Sequence, residues 1–265
     1  MGARTLSASL SYKDWYDLRD YDGEKPLTSL GINRAFHLGM LCTTSMGNEG
    51  PEPMTLGAPA ESFENLGSGA VDSTGEIARF SSRGPSADGR IKPDLCTMGI
   101  RTAAVSPFTE HAYSRWNGTS LSAPVLGGVM TLVRGAHPEW SAKKTREALK
   151  MTASRADRPD NTYGWGIPDV MAAIHYPEIR FTFVDSRNEV VNGVEVQITN
   201  EEGEILSARA EQGIVSFPNL ADGLWTYQIV VPEGWKMNPM PSNGKITCPS
   251  GKSMRITLEK DESHR

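Results

Sequence analysis

Apolar positions in the first two thirds of the chain follow two periods. Leu6-Ser-Ala-Ser-Leu-Ser-Tyr12 alternates as a strand does, and a polar, acidic loop runs on to Lys25. Residues 26–38 carry apolar positions at helical spacing (Leu30, Ala35, Leu38), with Gly39 as the residue just past the helix end. Met40–Thr44 reads as a buried strand and Gly47-Asn48-Glu49-Gly50 as the turn after it. Strand, helix and strand within ~40 residues make a βαβ unit, which predicts a parallel sheet. Gly67–Asp72, Ile77–Ser81 and Leu95–Met98 are shorter strand candidates. Two helices are predicted over 120–135 and 141–153, the second with Ser141 as its N-cap, and a short helix closes the region after Tyr163-Gly-Trp-Gly-Ile-Pro-Asp.

The pattern changes near Tyr176-Pro177. From Arg180 onward, period-2 stretches such as Phe-Thr-Phe-Val, Val-Glu-Val-Gln-Ile and Trp-Thr-Tyr-Gln-Ile-Val-Val are separated by Asn-Gly, Glu-Gly and Asp-Gly turns. Six or seven such strands in about 85 residues predict a small antiparallel β-sandwich. The expected fold is therefore α/β over residues 1–177, a parallel sheet flanked by helices, followed by an all-β domain over 178–265.

Composition narrows the function classes. The chain has 265 residues, 38% hydrophobic and 22% charged, with a net charge of −5. No Lys/Arg cluster exceeds two or three residues, which argues against nucleic acid as a partner. No apolar run reaches the ~20 residues of a membrane span. Cys42, Cys96 and Cys248 match no metal-ligand spacing. Cys42 and Cys96 lie in apolar contexts and are expected to be buried thiols. One disulfide is compatible with the sequence but not required by it.

The chemistry centres on Asn117-Gly-Thr-Ser-Leu-Ser-Ala-Pro124, followed directly by an apolar helical run. Ser120 sits between a glycine turn and a helix N-terminus, where amide donors and the helix dipole favour a developing oxyanion. The stretch resembles the nucleophile motif of subtilisin-like serine proteases, Gly-Thr-Ser-x-Ser/Ala-x-Pro. Three further blocks resemble the same family in the expected order. Ser9-Leu10-Ser11-Tyr12 is similar to the Ser-Leu-Gly strand that lines the substrate backbone, with Ser11 standing where the family has Gly. Ser45-Met-Gly-Asn-Glu-Gly50 is similar to the Ser-Ala-Gly-Asn-Glu-Gly turn. Residues 77–95 resemble the run Ala-x-Phe-Ser-Ser-x-Gly-Pro followed by Lys-Pro-Asp, to which a structural role is assigned, with no catalytic task for Asp94.

The resemblance implies a serine endopeptidase acting on polypeptide, with Ser120 as nucleophile and Asn48 as oxyanion donor. Ser9, Leu10, Ser11, Gly47 and Thr119 are the expected substrate-binding positions. It implies no certain cofactor, although calcium often serves a structural role in intact members. Asp20-Tyr-Asp22-Gly-Glu24 is only faintly like a calcium loop and is read as a solvated turn. Upstream of Ser120 there is no His-Gly-Thr-like segment and no apolar strand ending in Asp-Thr-Gly or Asp-Ser-Gly. The expected Asp, His, Ser order is thus short of its first two members. The sequence is expected to be the C-terminal part of a secreted or cell-surface protease, inactive alone, with residues 1–4 as the end of a helix and Gly2 past it.

A local base is not expected. His111 is the nearest in sequence, whereas His37, His137, His175 and His264 read as packing or surface residues. The alternative function is a non-catalytic module binding peptide or glycan, and a split enzyme completed by a second chain is a third. Segments 185–196 and 217–227 resemble carboxypeptidase-regulatory-like or collagen-adhesin B-type sandwiches appended to secreted bacterial enzymes.

Overall fold

A computed structural model of the chain describes residues 2–109, 111–218, 220–221, 223–237, 241–248 and 253–261. The chain divides into two compact units, 1–174 and 175–265.

The first unit is built on β1 (Thr5–Ala8), α1 (Leu27–His37), β2 (Leu41–Ser45), β3 (Asn65–Val71) and β4 (Leu95–Met98). The four strands form one sheet in the order β1-β2-β3-β4, parallel throughout. β2 and β3 are buried along their whole length, as expected where both faces of a parallel sheet are covered. α1 starts after Pro26, and Gly39 at φ +89° follows its end.

A hairpin of β5 (Thr102–Val105) and β6 (Tyr113–Trp116) precedes α2 (Thr119–Ala136). α2 buries Thr119, Ser122, Ala123, Leu126, Gly127, Met130 and Val133, one stripe at helical spacing, and packs on all four strands. α3 (Ala142–Met151) and α4 (Val170–Ile174) complete the unit. Ser141 caps α3 by accepting from Lys144 N.

Two local expectations are corrected, and one hairpin is added. Ile77–Ser81 is not a strand: it touches β3 through the Ile77–Val71 bridge and the bond from Ala78 N to Ala70 O, then turns on the bond from Ser81 N to Ala78 O, and Phe80 O accepts from Gly50 N. The β5–β6 hairpin carries no period-2 contrast and is not visible in the pattern. Residues 2–4 are irregular, and Gly2 does not take the positive φ of a helix terminator.

The second unit holds β7 (Ile179–Asp185), β8 (Glu195–Asn200), β9 (Ile205–Arg209), β10 (Ile214–Phe217), β11 (Gly223–Val230), β12 (Trp235–Met237), β13 (Asn243–Cys248) and β14 (Ser253–Lys260). They form two four-stranded sheets, β10-β7-β14-β12 and β13-β11-β8-β9. Phe181, Phe183, Ile256 and Leu258 of the first share one core with Val196, Ile198, Trp225 and Ile229 of the second. β11 alternates buried and exposed positions from Trp225 on, as a strand with one face in a core must. Pairing is antiparallel except between β7 and β14, which run parallel where the sequence predicts antiparallel neighbours. His264, Asp222 of the Asp-Gly turn and most of the charged tail lie outside the described residues. Among the described residues, no helix is long and apolar enough to cross a membrane.

Candidate active site

The site forms where β2 ends and α2 begins. After Ser45 the chain buries Met46 and turns through Gly47 to an exposed Asn48. Gly118 is the N-cap of α2, so Thr119 and Ser120 are its first two residues. Gly118 has φ 150° and ψ 151°, a conformation that disfavours a side chain. Ser120 is half-buried, and no hydrogen bond among the described residues engages its Oγ.

Thr119 joins the two segments. Its N–H donates to Asn48 Oδ1 at 2.9 Å, and its hydroxyl lies 3.0 Å from the same oxygen. That hydroxyl also accepts from Gly47 N at 3.2 Å and lies 3.1 Å from Gly47 O. With Oδ1 taken, the Asn48 carboxamide presents Nδ2 as a donor. The Ser120 N–H is one of the donors that a helix start leaves without an intrahelical partner. A β-carbon placed on Gly118 would lie 3.6 Å from Ser120 N and 3.8 Å from Asn48 Nδ2. Both donors therefore border the space that the missing side chain leaves open.

The Gly47–Gly50 turn is held from the other side by residues 80–82. Gly50 N donates to Phe80 O at 2.8 Å, Ser82 N to Gly47 O at 3.0 Å and Glu49 N to Ser82 Oγ at 3.1 Å. This gives the Phe-Ser-Ser run a structural task at the site. The Glu49 carboxylate accepts from Asn48 N and Ser82 Oγ and pairs with Lys13 at 3.0 Å. Burial pushes the Glu49 carboxyl up, but the hydrogen bond and charge of Lys13 outweigh it and hold it below the ordinary value.

The residues after β1 reach the same place. Ser9 Oγ donates to Ser120 O at 2.7 Å. Leu10 is half exposed, and Ser45 Oγ donates to its carbonyl at 3.3 Å. Ser11 is exposed, with its Oγ packed against Gly57, and Tyr12 N bonds to Ala58 O at 2.8 Å. Ser9, Leu10, Gly47, Asn48, Thr119 and Ser120 are thus tied together by these contacts.

Two residues that belong to the motifs have partners the sequence does not reveal. Ser122 is buried in the first turns of α2, with its Oγ 2.5 Å from Gly69 O and from Ser68 Oγ, and Thr97 Oγ1 donates to its carbonyl at 2.7 Å. The small hydroxyl two residues past Ser120 thereby pins α2 to β3 and β4. Asp94 is buried between two lysines, 2.6 Å from Lys92 Nζ and 2.9 Å from Lys150 Nζ, and accepts from Gly67 N at 3.0 Å. These cations hold its carboxyl far below the usual range against the opposing cost of burial. The Lys-Pro-Asp spacing hints at the Lys92 pair. Nothing local signals Lys150, which comes from α3.

The described histidines are engaged or placed elsewhere. His137 stacks on Trp140, and its Nε2 lies 2.6 Å from Ile174 O. His37 ends α1 against Phe36, His111 is exposed in the β5–β6 loop, and His175 belongs to the second unit. The acidic loop does not fit a calcium ion. Asp20 pairs with Lys25 at 2.5 Å, and Asp22 Oδ1 accepts from the amides of Glu24 and Lys25. Among the described residues no group of three or more His, Cys, Asp or Glu could hold a metal.

The family model described as the subtilase family matches residues 1–166. Serine protease AprX of Bacillus subtilis (strain 168) is 27% identical over 167 residues, 56% of this chain and 38% of AprX. Subtilisin E of the same organism is 30% identical over 144 residues, 54% of this chain and 35% of its own length. The chain spans well under half the length of these curated relatives. Among solved structures, the prenylagaramide maturation protease PagA is similar with a TM-score of 0.51 at 25% identity, covering 65% of this chain and 62% of PagA. Sphericase shares the fold with a TM-score of 0.53 at 20% identity, over 63% of this chain and 56% of its own.

Proposed function

Because the chain belongs to the subtilase family, we propose that it carries the nucleophile and oxyanion side of a serine endopeptidase. Ser120 Oγ attacks the scissile carbonyl of a polypeptide. Asn48 Nδ2 and the Ser120 N–H receive the oxyanion, and water then hydrolyses the acyl-enzyme. The observation that carries this reading is the bond from Thr119 N to Asn48 Oδ1, which leaves Nδ2 free beside the start of α2. The Ser9–Ser11 segment is the edge along which an extended substrate pairs on its acyl side.

The proton of Ser120 must pass to a base. No described histidine bonds to Ser120 Oγ, so the histidine and the aspartate that orients it are assigned to polypeptide beyond these 265 residues. The second unit is assigned to an appended β-sandwich of the carboxypeptidase-regulatory-like or collagen-adhesin B type, supported by its two sheets over one core. The setting is extracellular or at the cell surface, an assignment supported by the family alone.

Two measurements test this. The purified chain is expected to hydrolyse a fluorogenic peptide no faster than its Ser120→Ala variant. Coding DNA upstream of codon 1 is expected to contain in-frame Asp-Thr-Gly and His-Gly-Thr segments. The polypeptide extended by them is expected to cleave casein, to lose that activity with Ser120→Ala and to lose ~10²–10³ of turnover with Asn48→Ala, a magnitude measured on a member of the same family. An extended polypeptide that cleaves equally well with Ser120→Ala overturns the assignment. No such upstream segment, with no activity, leaves the peptide- or glycan-binding module as the better reading.

A further inference from the structure

A cavity of about 520 Å³ opens beside the Gly47–Gly50 turn. Its walls are three short segments, residues 51–53, 83–85 and 161–162. Three wall residues, Pro51, Pro53 and Pro85, have no N–H, and their φ angles are restricted, so these walls resist collapse and add no donors of their own. The donors come from Arg83 and Asn161, since the Thr162 N–H already donates to Asp160 Oδ1 at 2.8 Å.

Arg83 is the cation of this cavity. Arg83 is part of the cavity lining, and among the described residues no carboxylate pairs with its guanidinium. Its backbone is held at both ends: Arg83 N donates to Thr55 Oγ1 at 3.0 Å, and Thr55 N donates to Arg83 O at 3.1 Å. The stem of the guanidinium thus has a set origin. Asn161 uses its Oδ1 on Lys92 N at 3.4 Å, which leaves its Nδ2 as a donor. The opposing charge is Glu52, which is exposed at the rim.

We propose that this cavity binds an oxyanion through Arg83, and that its physiological occupant is a carboxylate of the polypeptide substrate. A planar guanidinium without an ionic partner among the described residues, in a rigid cavity, matches a carboxylate in charge and in fork geometry. The substrate assignment rests on the protease reading above. It follows from position: Pro51 is three residues past Asn48, within about 11 Å along the chain. An acidic side chain or chain terminus two to four residues from the scissile bond spans that distance.

The test needs no catalysis. The Arg83 Nε–H resonance of the ¹⁵N-labelled chain is followed during titration with N-acetyl-aspartate methylamide, with inorganic phosphate and with N-acetyl-lysine methylamide. The expected result is a saturable shift with the aspartyl probe, none with the lysyl probe, and loss of aspartyl binding, followed on the backbone amides of Gly50, Glu52, Met54 and Thr55, in Arg83→Gln. Ser120→Ala is expected to bind as the wild type does, which separates this site from the fate of the nucleophile assignment. Saturation by phosphate alone overturns the substrate carboxylate. No saturation by either anion, or aspartyl binding unchanged in Arg83→Gln, overturns the site. Hydrolysis data on an extended polypeptide leave this result as it stands.

Discussion

Ser9 Oγ donates to the carbonyl of Ser120 at 2.7 Å, and it does so in place of a backbone amide. In a regular helix that carbonyl accepts from the residue four positions on, which here is Pro124 and has no N–H. The proline in the nucleophile motif therefore frees an acceptor that the segment after β1 uses to dock onto α2. Ser9→Ala is expected to destabilise the chain by about 0.5–1.5 kcal/mol, the usual net worth of one hydrogen bond. In a Pro124→Ala background the helix supplies its own donor, and the effect of Ser9→Ala should fall toward zero. Urea midpoints of the four proteins in this cycle measure the coupling, and additive effects would contradict the exchange of partners.

Thr119→Val keeps the shape of the side chain and removes its hydroxyl. Gly47 N then loses an acceptor in a buried position, and the clamp on Asn48 is reduced to one backbone bond. The expected cost is about 1–3 kcal/mol, because a buried donor without a partner bears its full desolvation penalty. Chemical denaturation checks the magnitude, and an unchanged midpoint would count against the clamp.

Asp94→Asn leaves Lys92 and Lys150 facing each other without their shared anion. Breaking a buried pair in this way is expected to cost about 3–5 kcal/mol. The pH dependence has a definite sign. The folded carboxyl titrates below its unfolded value, so its stabilisation is present above about pH 4 and is lost as pH falls toward the folded pKa. The acid side of the stability profile should therefore be shallower in Asp94→Asn than in the wild type.

Glu61 works in the opposite direction. It is fully buried, accepts from Ser29 Oγ through one oxygen and has no partner for the other. Burial pushes its carboxyl above the ordinary 4.5. A raised carboxyl favours folding at low pH, and that contribution is lost as pH rises through the folded value. The unfolding free energy of the wild type should fall with rising pH just above 4.5 relative to Glu61→Gln. Parallel profiles in that window would show that Glu61 does not titrate there.

The three cysteines form no disulfide and are buried. Burial pushes the Cys42 thiol up to about 11 and raises Cys96 further. The thiolate is the reactive form, so neither should react with iodoacetamide near neutral pH in the native chain. Both should react in urea, and mass spectrometry with and without denaturant decides it.

Much of this was legible along the chain. Hydrophobic period gave α1, β2, β4, α2 and α3 nearly to the residue, because each buries a face whose spacing is local. The motif around Ser120 and the turn at Asn48 could be named because a hydroxyl at a helix start and a carboxamide in a glycine turn are short-range patterns. The β5–β6 hairpin escaped notice because small and exposed residues leave no alternation. Ile77–Ser81 misled because apolar spacing does not reveal that its backbone leaves β3 after Ala78. The parallel β7–β14 pair joins the first and last strands of its unit, a pairing set by long-range closure.

By itself, then, the order of residues determined the elements that bury a regularly spaced face and marked out the candidate residues of the site, since both follow from neighbours a few positions apart. Only the tertiary structure decided what each polar group meets: Thr119 with Asn48, Ser9 with the carbonyl that Pro124 cannot serve, Lys150 with Asp94, and Arg83 with no ionic partner among the described residues. Those relations join residues tens of positions apart, and packing in three dimensions, with every buried donor and charge seeking a partner, is what settles them.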